Sequence, residues 1–291
     1  MTPLTAGPAA WNPSGAAAVT DRSSPAKIMS VLRLIQFTDP HLYANEAETL
    51  RGIATLPALK AALGDAQAGA WPPDALLVTG DIVQDDPGGY VHLRRLLGGL
   101  GVPVLCIPGN HDEPAALRRE LQGAPFQVGG CADFGLWRIV LLDSCLPGSA
   151  SGRLGKQALI QLEQALATAG NRHCLVTLHH HPVPMSSRWL DQVGLENPDE
   201  FFGVIDRHRN VRAILWGHVH QAFDALRKDV RLLATPSTCA QFVPLADEFA
   251  VDRRPPAYRT FELRSDGSLL TEVVWLEQRA AGSSRSVYSA A

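Results

Sequence analysis

Five of the six strand-length apolar runs inside this chain break off directly into Asp, Asn and His. "VLRLIQF" (31–37) runs into "TDPH", "ALLVT" (75–79) into "TGDIVQD", "VPVLCI" (102–107) into "PGNHDE", "HCLVTL" (173–178) into "HHHP" and "VRAILW" (211–216) into "GHVH". The sixth run is "WRIVLLD" (137–143). Short, continuous runs of β-branched and Leu residues read as strands buried on both faces. Helical patterns intervene. The clearest covers 156–169, where Leu159, Leu162, Leu166 and Ala169 share a stripe and Gly170 stands ready to cap the end. Others fall near 54–68, 87–99, 114–122 and 198–208. Strands alternating with helices specify an α/β domain with largely parallel strands. Near the end, "YRTFELRSDGSLLTEVVWLE" is two alternating runs joined through Asp266-Gly267, an antiparallel hairpin.

That alternation has a chemical consequence. In an open α/β sheet, ligands bind in the crevice beyond the carboxyl ends of the strands. Five segments far apart in sequence therefore bring their polar residues to one edge. Taken singly the motifs are weak: Asp39-Pro40-His41 is a common turn, and Gly80-Asp81 is ordinary turn chemistry. "GNHD" (109–112) is more specific, and His218 and His220, two residues apart, present both rings to one side of an extended segment. Three consecutive histidines, 179–181, are poor core filler and poor turn formers. In this order, each after a strand, the motifs read together as a metal centre.

Composition excludes several other classes. A net charge of -3 over 291 residues gives no global basic field for nucleic acid or anionic membrane, and no basic, aromatic-interleaved stripe suggests a nuclease. No apolar run approaches the ~20 residues needed to span a bilayer. The five cysteines are widely spaced, odd in number and without a CxxC pair, which points to reduced thiols and a cytoplasmic protein. Residues 1–29, rich in Ala, Pro, Gly and Ser, read as a disordered extension, with Met29 as an alternative start. Residues 279–291 read as a flexible tail.

The series Asp-x-His, Gly-Asp, Gly-Asn-His-Asp, His, Gly-His-x-His resembles the calcineurin-like metallophosphoesterase superfamily. Within it, "WLDQVGLEN" (189–197), "LLATPSTCAQF" (232–242) and "YRTFELRSDGSLLTEV" (258–273) are similar to stretches of the bacterial class III 3',5'-cyclic-AMP phosphodiesterases. The resemblance covers roughly residues 31–277. It implies an α/β fold, a two-sheet β-sandwich flanked by helices (αββα), over a domain of residues 30–278. It also implies two metal ions at the strand ends. Carried over by position, Asp39, His41, Asp81 and His220 hold one ion. Asp81, Asn110, His179 and His218 hold the other, Asp81 bridging, with His179 favoured over His180 as the ligand. Carboxylate, amide and imidazole donors suit Fe, Mn, Co or Zn and need no thiolate.

The implied reaction is hydrolysis of 3',5'-cyclic AMP to 5'-AMP by a metal-bridging hydroxide, with the site residues His41, Asn110, His111 and His220 against the substrate. His111, beside a ligand but not assigned as one, is the candidate acid for the leaving 3'-oxygen, with Asp112 or Asp85 to orient it. The family's protein phosphatases carry "GDxxDRG" where this chain has "GDIVQDD". Gln84 thus replaces their Asp and the Arg is missing, which argues against a phosphoprotein substrate. The alternative is a broader phosphodiesterase acting on glycerophosphodiesters, 2',3'-cyclic nucleotides or aryl esters. A non-catalytic scaffold is disfavoured because all seven ligand positions are filled. A small cyclic nucleotide is the expected partner, and a homodimer the expected assembly, since the family often dimerises. "TPSTC" (235–239) is either pocket lining or a small polar turn. "SSRWLDQ" (186–192) offers Arg188 or Trp189 to a base or phosphate, with core packing favoured for Trp189.

Overall fold

A strand that is apolar on both faces must be covered twice, so two such sheets stacked together still need helices outside them. The computed structural model, which describes residues 31–276, solves the problem in this way. The expectations for residues 1–29 and 279–291 lie outside the described residues. In chain order the strands of the two large sheets are β1 (Val31–Phe37), β2 (Ala75–Thr79), β3 (Val104–Ile107), β4 (Phe126–Val128), β5 (Gly130–Phe134) and β6 (Trp137–Leu141). They continue with β7 (His173–Thr177), β8 (Val211–Trp216), β9 (Phe223–Arg227), β10 (Val230–Ala234), β11 (Ala257–Arg264) and β12 (Leu269–Trp275). One six-stranded sheet has the order β12-β11-β1-β2-β3-β4, the other β9-β10-β8-β7-β6-β5. The expected parallel pairing holds for β1 to β4 and for β6, β7, β8 and β10. The flanking strands β11, β12, β9 and β5 pair antiparallel, so both sheets are mixed.

Side-chain alternation sorts each strand between two layers. On β1, Leu32 and Leu34 face the opposite sheet while Ile35 and Phe37 face helices. On β8, Ala213 and Leu215 face inward while Ile214 and Trp216 face outward. Helices α1 (Thr55–Gly69), α2 (Tyr90–Leu97) and α3 (Pro114–Glu120) cover the first sheet through Leu59, Leu63, Leu93, Leu97 and Leu117. Helices α4 (Lys156–Ala167), α5 (Arg188–Asp191) and α6 (Pro198–Ile205) cover the second through Leu162, Leu166, Leu190, Phe201 and Ile205. Each buried leucine contributes roughly 1.5–3 kcal/mol, which is what selects the αββα stack.

Four strands, β4, β5, β9 and β10, were not legible as apolar runs. They are short or half-exposed; β9 alternates between intermediate and exposed along its whole length. The helical stretch expected at 87–99 begins with a 3-10 turn over Pro87–Gly89. Helix α4 ends at Ala167, and Gly170 is not its cap but takes φ 63° in the turn beyond.

Candidate metal centre

Strands β1, β2, β3, β7 and β8 all end on the same side, and the loops that follow them meet there. Asp39 and His41 follow β1, Asp81 follows β2, Asn110 and His111 follow β3, His179 follows β7, and His218 and His220 follow β8. The first two loops stay zipped together after their strands end: Asp39 N–H donates to Gly80 O at 3.1 Å and His41 N–H to Asp81 O at 2.9 Å. Asp39, His41, Asp81, His218 and His220 all adopt positive φ, between 47° and 64°. Non-glycine residues reach this region at a cost, and clusters of them mark sites where side-chain placement outweighs local strain. Here the strain accompanies five polar side chains gathered beyond the strand ends.

The resulting geometry forms overlapping groups. Asp39, His41 and His220 bring one donor atom each within 4.8 Å of one another, as do Asp39, Asp81 and His179, and also His179, His180 and His218. His41 Nε2 and His220 Nε2 are 3.1 Å apart. His220 Nε2 lies 3.4 Å from Asp39 Oδ1, and His179 Nε2 lies 3.4 Å from Asp81 Oδ2 and 3.9 Å from Asp39 Oδ1. Asp81 Oδ2 is also 4.0 Å from His41 Nε2, while Asp81 Oδ1 accepts the His111 N–H at 2.9 Å. His179, not His180, is therefore the imidazole that faces both carboxylates. His218 and His220 face the site as expected but enter different groups.

Backbone carbonyls fix the rings. His179 Nδ1 donates to Thr79 O at 2.8 Å and His220 Nδ1 to Ala240 O at 2.6 Å, so in each ring Nε2 is the nitrogen directed at the carboxylates. A ligand imidazole is held in one tautomer in just this manner. His180 is held differently, with Nδ1 2.8 Å from the Ser144 hydroxyl, and His181 stacks on His218 at 5.6 Å. Among the described residues, His179 Nε2, His218 Nε2 and Asn110 Oδ1 are buried without a hydrogen-bond partner. Buried polar atoms rarely remain so without reason. Lone pairs converging beside two buried carboxylates form a donor set that fits divalent cations.

The electrostatics agree. Burial opposes charge on Asp39 and Asp81, yet His220 overrules it for Asp39 and His179 for Asp81, and both carboxyls stay below their ordinary range. Burial also opposes a proton on His179, but Asp81 and then Asp39 raise it to about 9. Burial pushes His41 down to about 4 and His218 well below its ordinary value. Most of the imidazoles are thus neutral donors, around a negative centre that attracts one positive charge even onto a buried ring.

His111 sits at the mouth, its side chain 32% exposed, 5.5 Å from the His41 ring. Its Nδ1 donates to Asp85 Oδ2 at 2.9 Å. Gln84 Nε2, which is 2.9 Å from Nδ1, donates to the same oxygen at 3.1 Å, so Gln84 braces the carboxylate instead of replacing it. Asp112, the other orienting partner expected, is turned inward. It accepts from Gly109 N, Ile82 N, Val83 N and the Tyr90 hydroxyl, and shapes the loop that carries Asn110.

Of the residues with two readings, Arg188 pairs with Asp247 at 2.5 Å. Trp189 packs against Phe242 and Phe249, and Phe242 stacks flat on His220 at 4.0 Å. The "TPSTC" segment turns out to be a brace. Ser237 Oγ donates to Asp39 O at 2.7 Å, and Thr238 N donates to Thr38 O at 2.9 Å. Motif reasoning missed Thr38, Thr79, Ser144 and the Ala240 carbonyl, since none belongs to a metal-ligand type.

Comparison with known proteins places this geometry in context. Residues 32–222 match the sequence model of the calcineurin-like phosphoesterases. The chain is 40% identical over 252 residues to the 3',5'-cyclic adenosine monophosphate phosphodiesterase CpdA of Pseudomonas aeruginosa, covering 86% of this chain and 92% of that one. It is 39% identical over 244 residues to the protein of the same name from Escherichia coli K12, covering 83% and 89%. Among solved structures, a dimetal phosphatase from Danio rerio superposes with a TM-score of 0.59 at 15% identity, over 82% of this chain and 98% of that one. That last likeness speaks to the fold alone.

Proposed function

The chain belongs to the calcineurin-like phosphoesterase family, and from that premise we propose that it hydrolyses 3',5'-cyclic AMP to 5'-AMP at the Asp/His centre. The observation that carries this reading is the likeness, over most of both chains, to curated relatives that are cyclic-AMP phosphodiesterases by name. Two divalent ions bound at the centre would supply Lewis acidity to the phosphate oxygens and make a water acidic enough to attack near neutral pH.

The chain's own residues divide the remaining work. Asp39, His41, Asp81 and His220 would hold one ion, and Asp81, Asn110, His179 and His218 the other. The position of Asp81 supports its being shared: Oδ2 stands between His41 and His179, while Oδ1 is tied to the His111 N–H. The His41 and His220 Nε2 atoms lie 3.1 Å apart, close enough for one cation to be reached by both in place of the hydrogen bond they can form without it. Two divalent ions bring four positive charges and Asp39 and Asp81 cancel two, so the centre keeps a surplus for an anionic phosphodiester. His41, Asn110, His111 and His220 are the proposed substrate contacts. His111, with Nδ1–H held by Asp85, is oriented to deliver a proton from Nε2 to the departing 3'-oxygen.

Fe, Mn, Co and Zn all suit this donor set. All five cysteines are free, which supports a reducing, cytoplasmic setting. Among the described residues no helix is long and apolar enough to cross a membrane. The test is kcat/KM for 3',5'-cyclic AMP, 2',3'-cyclic AMP and bis(p-nitrophenyl) phosphate, measured side by side on metal-loaded protein. Preference for 3',5'-cyclic AMP is expected. Negligible cleavage of it beside efficient cleavage of the other two would transfer the assignment to a broader phosphodiesterase.

A further inference from the structure

Arg259, on β11, is 3% exposed, and among the described residues it forms no ion pair. A guanidinium buried among neutral acceptors is costly unless its charge is answered somewhere. Asp224 answers part of it through space, and a second carboxylate lies at the end of a hydrogen-bonded line. Arg259 Nε–H donates to Thr235 Oγ1 at 3.0 Å, and Thr235 Oγ1 donates to Gln36 Oε1 at 2.5 Å. Gln36 Nε2 then donates to Thr79 Oγ1 at 2.7 Å, Thr79 Oγ1 to Thr38 Oγ1 at 2.7 Å, and Thr38 Oγ1 to Asp39 Oδ2 at 2.6 Å.

Every donor points the same way. Arginine can only donate and an ionised carboxylate can only accept, so the two ends fix the sense of the three hydroxyls and the amide between them. Thr38 has one other acceptor, Thr79 O at 3.3 Å, but that carbonyl already accepts from His179 Nδ1. All six residues are buried, at 0–3% exposure. Strand alternation puts them together: Gln36, Thr79 and Arg259 occupy the inward-facing parity of β1, β2 and β11, and Gln36 and Arg259 are directly opposed in register. Thr235, from the other sheet, stands between those two. Burial lowers Arg259 only to about 10, so the cation persists at neutral pH.

We propose that Arg259 is a positioning residue for the metal centre, acting on Asp39 through the aligned chain Thr235–Gln36–Thr79–Thr38. The chain occupies Asp39 Oδ2, while the His218 N–H is shared between Oδ1 at 3.0 Å and Oδ2 at 3.1 Å; Oδ1, 3.4 Å from His220 Nε2 and 3.9 Å from His179 Nε2, thus keeps a lone pair facing the imidazoles for a cation. Hydrogen bonds in series polarise one another, so a break far from Asp39 weakens the last bond. This inference rests on the metal-centre reading above.

The test is Mn²⁺ affinity of the metal-free protein by titration calorimetry, with thermal unfolding of the same samples. Thr235→Val keeps the side-chain shape and removes the relay hydroxyl; it should weaken Mn²⁺ binding by about tenfold, within the range seen when ligand-orienting partners are lost. Thr235→Ser, which keeps the hydroxyl, should restore it. Thr271→Val removes a different Arg259 hydrogen bond, Nη1 to Thr271 Oγ1 at 3.3 Å, without touching the chain, and should leave affinity unchanged. Unchanged affinity in Thr235→Val overturns the proposal, and so does an equal loss in Thr271→Val, because Arg259 would then act on packing alone. Wild-type protein that binds no Mn²⁺ would instead sink the metal-centre reading, and this inference with it.

Discussion

His179 Nε2 and Asp81 Oδ2 lie 3.4 Å apart in a setting with no exposure to solvent on the imidazole side. The carboxylates raise the His179 pKa to about 9 against its burial. The folded value thus exceeds the unfolded value of about 6.5. In metal-free protein this interaction contributes stability that is fully present below about 6.5 and is lost as pH rises through 9. A cation must displace that proton. Metal affinity is therefore expected to increase with pH across 7–9, with about one proton released per centre at pH 7.5. Calorimetry in two buffers of different ionisation enthalpy measures the release; proton-independent binding would contradict it.

His111 is held at the mouth by Asp85, which Gln84 braces, and contributes only its backbone N–H to Asp81. His111→Ala should lower kcat by ~10²–10⁴-fold, the usual value of a proton donor, with metal content unchanged. Metal loss in this variant, read by elemental analysis, would make His111 a ligand and not the acid.

Asp85 orients His111 from a largely exposed position, its side chain 68% accessible. Asp85→Asn keeps the shape but weakens the charge-assisted bond. It should cost only part of the ~10²–10⁴-fold that His111 supplies, in kcat more than in KM. Asp112→Asn is the contrast. It disturbs four bonds that build the Asn110 loop, so it should reduce metal occupancy as well as rate. A similar profile for both variants would remove the distinction.

The proposed ligand side chains were legible because Asp, Asn and His are costly at strand ends unless used, and because unbroken apolar runs mark the strands. Val31–Phe37, Ala75–Thr79 and Val211–Trp216 end where the composition changes. What the sequence could not display was anything carried by backbone geometry. Asp39, His41, Asp81, His218 and His220 take left-handed φ although none is glycine, and no composition rule announces that. The relay through Gln36 and Thr235 was equally silent, because a Gln or Thr in a strand reads as ordinary alternation until the second sheet arrives opposite it. Asp85 and Asp112 flank His111 equally well on paper; only the direction of the "GNHD" loop separates them.

Gly217 precedes His218 where its loop closes on the one that follows β1. A Cβ there would lie 2.2 Å from Thr38 Oγ1 and 2.5 Å from Asp39 Oδ2, so the position admits no side chain unless Asp39 or its Thr38 partner shifts. Both are fully buried and have nowhere to go. Gly217→Ala should therefore destabilise by ~1–3 kcal/mol, the common cost of overpacking. It should also weaken metal binding, because the carboxylate displaced is a proposed ligand. Gly203→Ala, on the exposed face of α6 with open space at its Cβ, should instead stabilise by roughly 0.5–1 kcal/mol and leave metal binding alone. Thermal unfolding of the two variants with and without Mn²⁺ separates the effects. If Gly217→Ala lowers Tm yet retains the full metal-induced rise in Tm, the close approach at Gly217 serves packing, and Asp39 tolerates displacement without losing its hold on the cation.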